Sequence, residues 1–157
     1  MAITSEGRNR HPASQLYTAH NIWYEEPANL YAINYKLGTM IPAGTKVASA
    51  EARRGCVTFR LNNDRRVYTM QIIPKYQPKL CPKDLLSRCF TPKDFDALTA
   101  GLNAREIEMI RAGQIEDGMS KQAILIAYGY PPTHRTPSIK NNTWYYWHNR
   151  FSSLALT

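Results

Sequence analysis

Apolar and polar positions alternate in single steps through the first half of the chain. In residues 56–61, "CVTFRL", Val57, Phe59 and Leu61 fall on one side and Cys56, Thr58 and Arg60 on the other. The run "RVYTMQI" sets Tyr68, Met70 and Ile72 against Val67, Thr69 and Gln71 in the same way. A period of two is that of a strand with one buried face. Between the runs, "NNDR" is turn chemistry, because Asn and Asp tolerate left-handed backbone and satisfy turn amides. The pattern predicts a β-hairpin. Upstream, "QLYTAHNIWY" and "YAINYKLG" are strand-like, and "IPAGTKV" is a turn in which Pro42 fixes its own φ and Gly44 supplies a positive one. Short strands so punctuated predict a small β-barrel or sandwich over residues 16–73. Residues 1–15 read as a polar, flexible arm, and Pro74, Pro78 and Pro82 place a Pro-rich linker at 74–92.

From residue 93 the period lengthens. Phe95, Leu98, Leu102, Ile107 and Ile110 form apolar stripes at helical spacing, divided near Gly101 and Asn103. Asn103 with Glu106 three positions on has the spacing of a capping box, and Gly113 suits a helix stop. Ser120 caps the next helix, whose apolar face holds Ala123, Ile124 and Ala127. Gly129 ends it, and Pro131-Pro132 prevent continuation. The strand "TWYYWHN" follows, with Trp144, Tyr146 and His148 on one face and Tyr145, Trp147 and Asn149 on the other. "FSSLALT" reads as its partner strand.

Composition narrows the functional classes. The 157 residues suffice for one ordinary domain or two small ones, and no apolar stretch is long enough to span a bilayer. The N-terminal stretch lacks a targeting pattern, as would a form whose signal had been removed. Net charge is +8, and residues 1–80 hold most of the excess, with 11 Lys/Arg against 5 Asp/Glu. That half therefore attracts an acidic partner: nucleic acid, anionic lipid or acidic cell-wall polymer. Of the three cysteines, Cys81 and Cys89 are spaced for a small disulfide loop in an oxidising compartment, although buried free thiols account for them equally well. There is no CxxC pair and no Cys/His set with zinc spacing, so neither a metal nor a cofactor is expected.

Catalytic constellations are missing as well. The chain has no phosphate-cradling Gly loop, GxSxG, HExxH or calcium-loop pattern. His11, His20, His134 and His148 are widely spaced. Asp94/Asp96 and Glu106/Glu108 sit in early helix turns, where carboxylates favour the helix dipole. No Ser or Cys has a recognisable base beside it, and the reading is non-enzymatic. The basic hairpin interleaves arginines with Phe59 and Tyr68, as a single-strand-binding barrel does. Alternation, however, sends Phe59 inward with Val57 and Leu61. Arg53, Arg54, Arg65 and Arg66 are therefore expected to give salt-sensitive attraction to anionic surfaces, without base recognition.

The run "IRAGQIEDGMSKQAILIAYGYPP", followed by "NNTWYYWHNRF", resembles the SmpA/OmlA (BamE-like) domain of bacterial outer-membrane lipoproteins. The family pattern falls on Ile110 and Gly113, then Gly118, Met119 and Ser120, Ile124, Gly129 and Pro131, and finally Trp144 and Tyr146. The chain departs from it in the insertion "QIED", in Tyr128 where Leu is usual, and in Pro132. "LGTMIPAGTKV" is similar to the opening of a bacterial Src-homology-three-type barrel. The resemblances imply an α+β protein: an N-terminal small β-barrel, and over 93–157 a two-helix layer on a three-stranded antiparallel sheet. They also imply a non-catalytic envelope accessory protein, periplasm-facing and outer-membrane-associated, that docks onto and stabilises a larger assembly. On this reading Trp144 and Tyr146 pack beneath the short helix, while Tyr145 and Trp147 anchor a protein partner, with anionic lipid or cell wall as further partners. The rival readings are a nucleic-acid-binding module and a protein inhibitor of an enzyme.

Overall fold

The strands of the first half pair much as their alternation requires. In a computed structural model, which describes residues 15–131, 136, 138–140, 143–147 and 153–156, they are β1 (Leu16–Thr18), β2 (Ile22–Tyr24), β3 (Leu30–Tyr31), β4 (Thr39–Ile41), β5 (Lys46–Arg53), β6 (Cys56–Leu61) and β7 (Tyr68–Gln71). The expected hairpin is β6–β7, with Val57 opposite Met70 and Phe59 opposite Tyr68. All four of those side chains are buried. Asn63 adopts a left-handed φ of 63° at the turn, and the Asp64 carboxylate accepts the Arg66 amide at 2.9 Å. A six-stranded sheet results, in the order β3-β7-β6-β5-β1-β8, with β8 spanning Phe90–Thr91, curled into a half-barrel. Strands β2 and β4 pair separately.

Strand β8 (Phe90–Thr91) and the helix before it, α1 (Pro82–Cys89), come from the stretch expected as a linker. The prolines mislead there for a physical reason. Pro82 stands at the start of α1, where its missing N–H leaves no bond unmade and its fixed φ suits the helix. Leu85 and Cys89 of α1, with Phe90, then join the core of the first sheet. A second correction concerns the cysteines. Cys81 and Cys89 are free and stand at opposite ends of α1. Eight helical steps separate them by about 12 Å, whereas a disulfide spans Cα atoms up to roughly 7 Å apart. The pair cannot close.

The remaining helices are α2 (Phe95–Leu98), α3 (Ala104–Ala112) and α4 (Lys121–Tyr128), followed by β9 (Trp144–Trp147) and β10 (Ser153–Leu156). Local caps account for their limits. Asn103 and Glu106 form the reciprocal capping box, Gly113 closes α3 at φ 71°, and the Ser120 hydroxyl accepts the Ala123 amide. Glu106 reaches further than a capping box requires. Its second oxygen accepts the Ser120 amide at 2.7 Å, so one carboxylate joins the starts of α3 and α4. Those backbone bonds hold it below the ordinary glutamate value.

Strands β9 and β10 pair antiparallel, Tyr146 opposite Leu154. Trp144 and Tyr146 are buried with Ile110, Ala123, Ile126 and Ala127 in a second apolar cluster. Among the described residues no helix is long and apolar enough to cross a membrane.

Candidate functional site

The segment expected as one long strand breaks at residues 19–21, and the break creates the centre of the molecule. Asn21 is wholly buried. Its amide nitrogen donates to the carbonyls of Ile110 at 2.8 Å and Ala127 at 3.0 Å, and its oxygen accepts the Ala43 amide at 2.8 Å. Its backbone N–H donates to Ile126 O at 2.9 Å. Asn34, held at φ 59° where Asn is among the few side chains tolerated, accepts the Trp23 amide and donates to Asn21 O and Tyr128 O. A helix ends with four carbonyls lacking intrahelical partners. In α4 these are met by Gly129 N, Asn21 N, the Asn21 side chain and the Asn34 side chain, in chain order. The first half of the chain thus caps the short helix of the second.

Lys36 completes the seam. Its Nζ donates to Asn34 O at 2.6 Å and Tyr128 O at 3.3 Å, and lies 4.4 Å from the ring centre of Tyr128, 5.0 Å from Trp23 and 5.5 Å from Tyr146. Burial pushes the amine down to about 7. The carbonyls, the ring faces and the negative end of α4 pull the other way, toward the ammonium. Two carbonyls and three rings of the protein itself engage Nζ, which makes this half-buried lysine a strut. Tyr146 supports it by donating its hydroxyl to Gly129 O at 2.8 Å.

His20 stands between this seam and the surface. Its Nδ1–H donates to Asn21 O at 2.8 Å, and a Cβ at Gly129, itself at φ 83°, would come within 3.1 Å of the ring. Burial lowers its pKa from 6.5 to about 4. The unfolded chain then takes up the proton first as pH falls, so stability held above about 6.5 drains away toward about 4. Between pH 7 and pH 5 the loss should be on the order of 2 kcal/mol. Glu106 and Glu116, lowered from 4.5, act only below that window. Urea titrations at the two pH values measure the loss, and a His20→Asn variant should flatten it. An unchanged slope in that variant would remove His20 as the cause.

On the outer side of His20 a groove of about 640 Å³ opens between α1, α2 and α4. Leu98, Leu125 and Ile126 give it an apolar floor, widened by the small side chains of Ala19, Ala97 and Ala100. Arg88 and Lys93 stand along it, and among the described residues no Asp or Glu lines it. The Arg88 guanidinium lies 4.4 Å above the ring of Tyr130. Polar side chains here are already engaged: Ser87 bonds back to Lys83 O, Thr91 accepts the Lys93 amide, and Gln122 donates to Leu98 O. Cys89, next in sequence to Arg88, is buried and its thiol is pushed up to about 12, so it supplies no thiolate. Among the described residues no nucleophile faces a base across this groove.

A second hollow, about 350 Å³, lies on the outer face of β5–β6 around Arg53, Thr58, Arg60 and the exposed Val67. It holds part of the expected basic surface, but two of the four arginines are spoken for. Arg53 pairs with Glu51 at 2.6 Å. Arg66 forks onto Asp64 and stacks against Tyr24 and Tyr68. Arg54 and Arg65 remain exposed at turns without an ion pair among the described residues. Of these four arginines, Arg54 and Arg65 are thus the two whose charge is not offset by an ion pair among the described residues.

The structure brings the motif residues together unevenly. Ser120, Gly129, Trp144 and Tyr146 meet around α4, whereas Gly118 lies in the exposed turn before it. Met119 packs partly buried against that cluster, and Pro131 is buried. The side chains of Tyr145 and Trp147, like all of His11, His134 and His148, lie outside the described residues. Asn21, Asn34, Lys36 and His20 were not legible as a site in sequence. Their one local signal was polar residues interrupting runs that otherwise read as strands. No protein-family model, curated protein or solved structure matches the chain.

Proposed function

We propose that the protein works without catalysis, as an accessory component that docks onto and stabilises a periplasmic or outer-membrane assembly through the groove between α1, α2 and α4. The observation that carries this reading is the groove's chemistry: an apolar floor, a basic wall, and polar side chains already hydrogen-bonded within the protein. Surfaces of that composition suit protein docking. The envelope setting rests on the resemblance of residues 110–146 to SmpA/OmlA (BamE-like) domains. The packing of Trp144 and Tyr146 with α4 fits the helix-on-sheet layer of that family, and the curled sheet fits the small-barrel reading of the first half. A nucleic-acid role has weaker support, since Arg53 and Arg66 are neutralised within the protein and Phe59 is buried.

A photo-crosslinking residue at the exposed Ala97, on the groove, compared with one at Arg65, on the distant turn, tests the reading in the native host. Protein crosslinks from position 97 but not 65, recovered in the envelope fraction, are the expected result. Recovery in the cytosol, or crosslinks to nucleic acid from position 65, would overturn it.

A further inference from the structure

We propose that the occupant of this groove is an acidic peptide segment of a partner protein, carrying one or two large apolar side chains between its carboxylates. The inference rests on the docking function proposed above and specifies what docks.

Charge supplies the first reason. Arg88 and Lys93 make no ion pair among the described residues, and no acidic side chain lines the groove to neutralise them. Elsewhere three arginines are paired within the chain, Arg53 with Glu51, Arg66 with Asp64, and Arg105 with both Glu108 and Glu116, whereas Arg54 and Arg65 on the hairpin turns are not. What sets Arg88 and Lys93 apart is that they stand unpaired beside the apolar floor formed by Leu98, Leu125 and Ile126. Arg88 is also held in place. Stacked on Tyr130, its planar fork is oriented in advance, which lowers the entropic cost of gripping a carboxylate through two N–H groups.

Shape supplies the second. The three alanines recess the floor beside Leu98, Leu125 and Ile126, leaving space for bulky apolar groups and not for a flat surface alone. The same features disfavour a nucleic-acid strand, which needs open aromatic faces for its bases. Among the described residues the groove is lined by one phenol ring, Tyr130, which Arg88 already covers, and by the imidazole of His20, which is buried. An extended or helical peptide of alternating acidic and apolar character satisfies floor and wall together.

Panning a random peptide display library on the full chain tests this directly. Enriched sequences should combine Asp or Glu with Leu, Phe or Trp. The best synthetic peptide should bind more weakly as salt rises. It should lose about tenfold or more in affinity to an Arg88→Glu/Lys93→Glu variant. An Arg54→Glu/Arg65→Glu variant, changing equal charge on the hairpin turns, should keep its affinity, and thermal melting checks that both variants fold. Enrichment of neutral or basic peptides that still bind at the groove would sink the acidic occupant while leaving docking intact. A library that yields nothing above background would remove both. Equal losses in the two variants would reduce the effect to net charge and overturn the assignment to the groove.

Discussion

Asn21→Ala should lower the melting temperature by roughly 10 °C or more, the largest effect of any surface-conserving substitution of a polar residue in this chain. One side chain, wholly buried, serves three backbone groups: the carbonyls of Ile110 and Ala127 and the amide of Ala43. Alanine leaves no donor or acceptor in its place, at a position with no exposed surface. Each buried group left without a partner costs about 1–3 kcal/mol. The Ile110 carbonyl keeps a bond from Gly113 N, but the other two lose the partner the side chain supplied. A total near 4 kcal/mol follows, and each kcal/mol moves the melting point of a chain this size by roughly 2–4 °C. The exposed Asn29→Ala serves as the control, within about 0.5 kcal/mol of the parent. Equal melting points for the two variants would show that the seam does not hold the halves together.

Trp144→Ala should cost about 3–5 kcal/mol, again near 10 °C in melting temperature. The ring is 2% exposed and packs in the cluster of Ile110, Ala123, Ala127 and Tyr146, with its centre 6.4 Å from that of Tyr146. Truncation opens a cavity beside the tyrosine whose hydroxyl holds Gly129 O. The loss should therefore spread to the end of α4 and to the Lys36 cage. Alternation along the strand predicts that Trp147→Ala leaves melting almost unchanged. A stable Trp144→Ala protein beside an unfolded Trp147→Ala one would reverse the assignment of faces.

Features whose physics is local were legible in the chain itself. The limits of α3 and α4 follow from Asn103 with Glu106, Gly113, Ser120 and Gly129, because a cap is a bond between residues three or four positions apart. The buried faces of β6, β7 and β9 follow from a two-residue period that a strand cannot evade. Proline chemistry was local too, yet ambiguous: Pro82 reads as a breaker until its position at the start of α1 is known.

The tertiary structure alone decided the rest. Asn21 meets Ala127 across 106 positions and Asn34 meets Tyr128 across 94, separations over which no periodicity carries information. A buried asparagine, a caged lysine and a neutral histidine look in sequence like the polar side of a strand. Only the approach of α4's open carbonyls turns them into a cap. The same approach sets α4 against α1 and α2 and so creates the groove, whose walls come from four separate stretches of chain and whose apolar floor and basic side meet only in the folded protein.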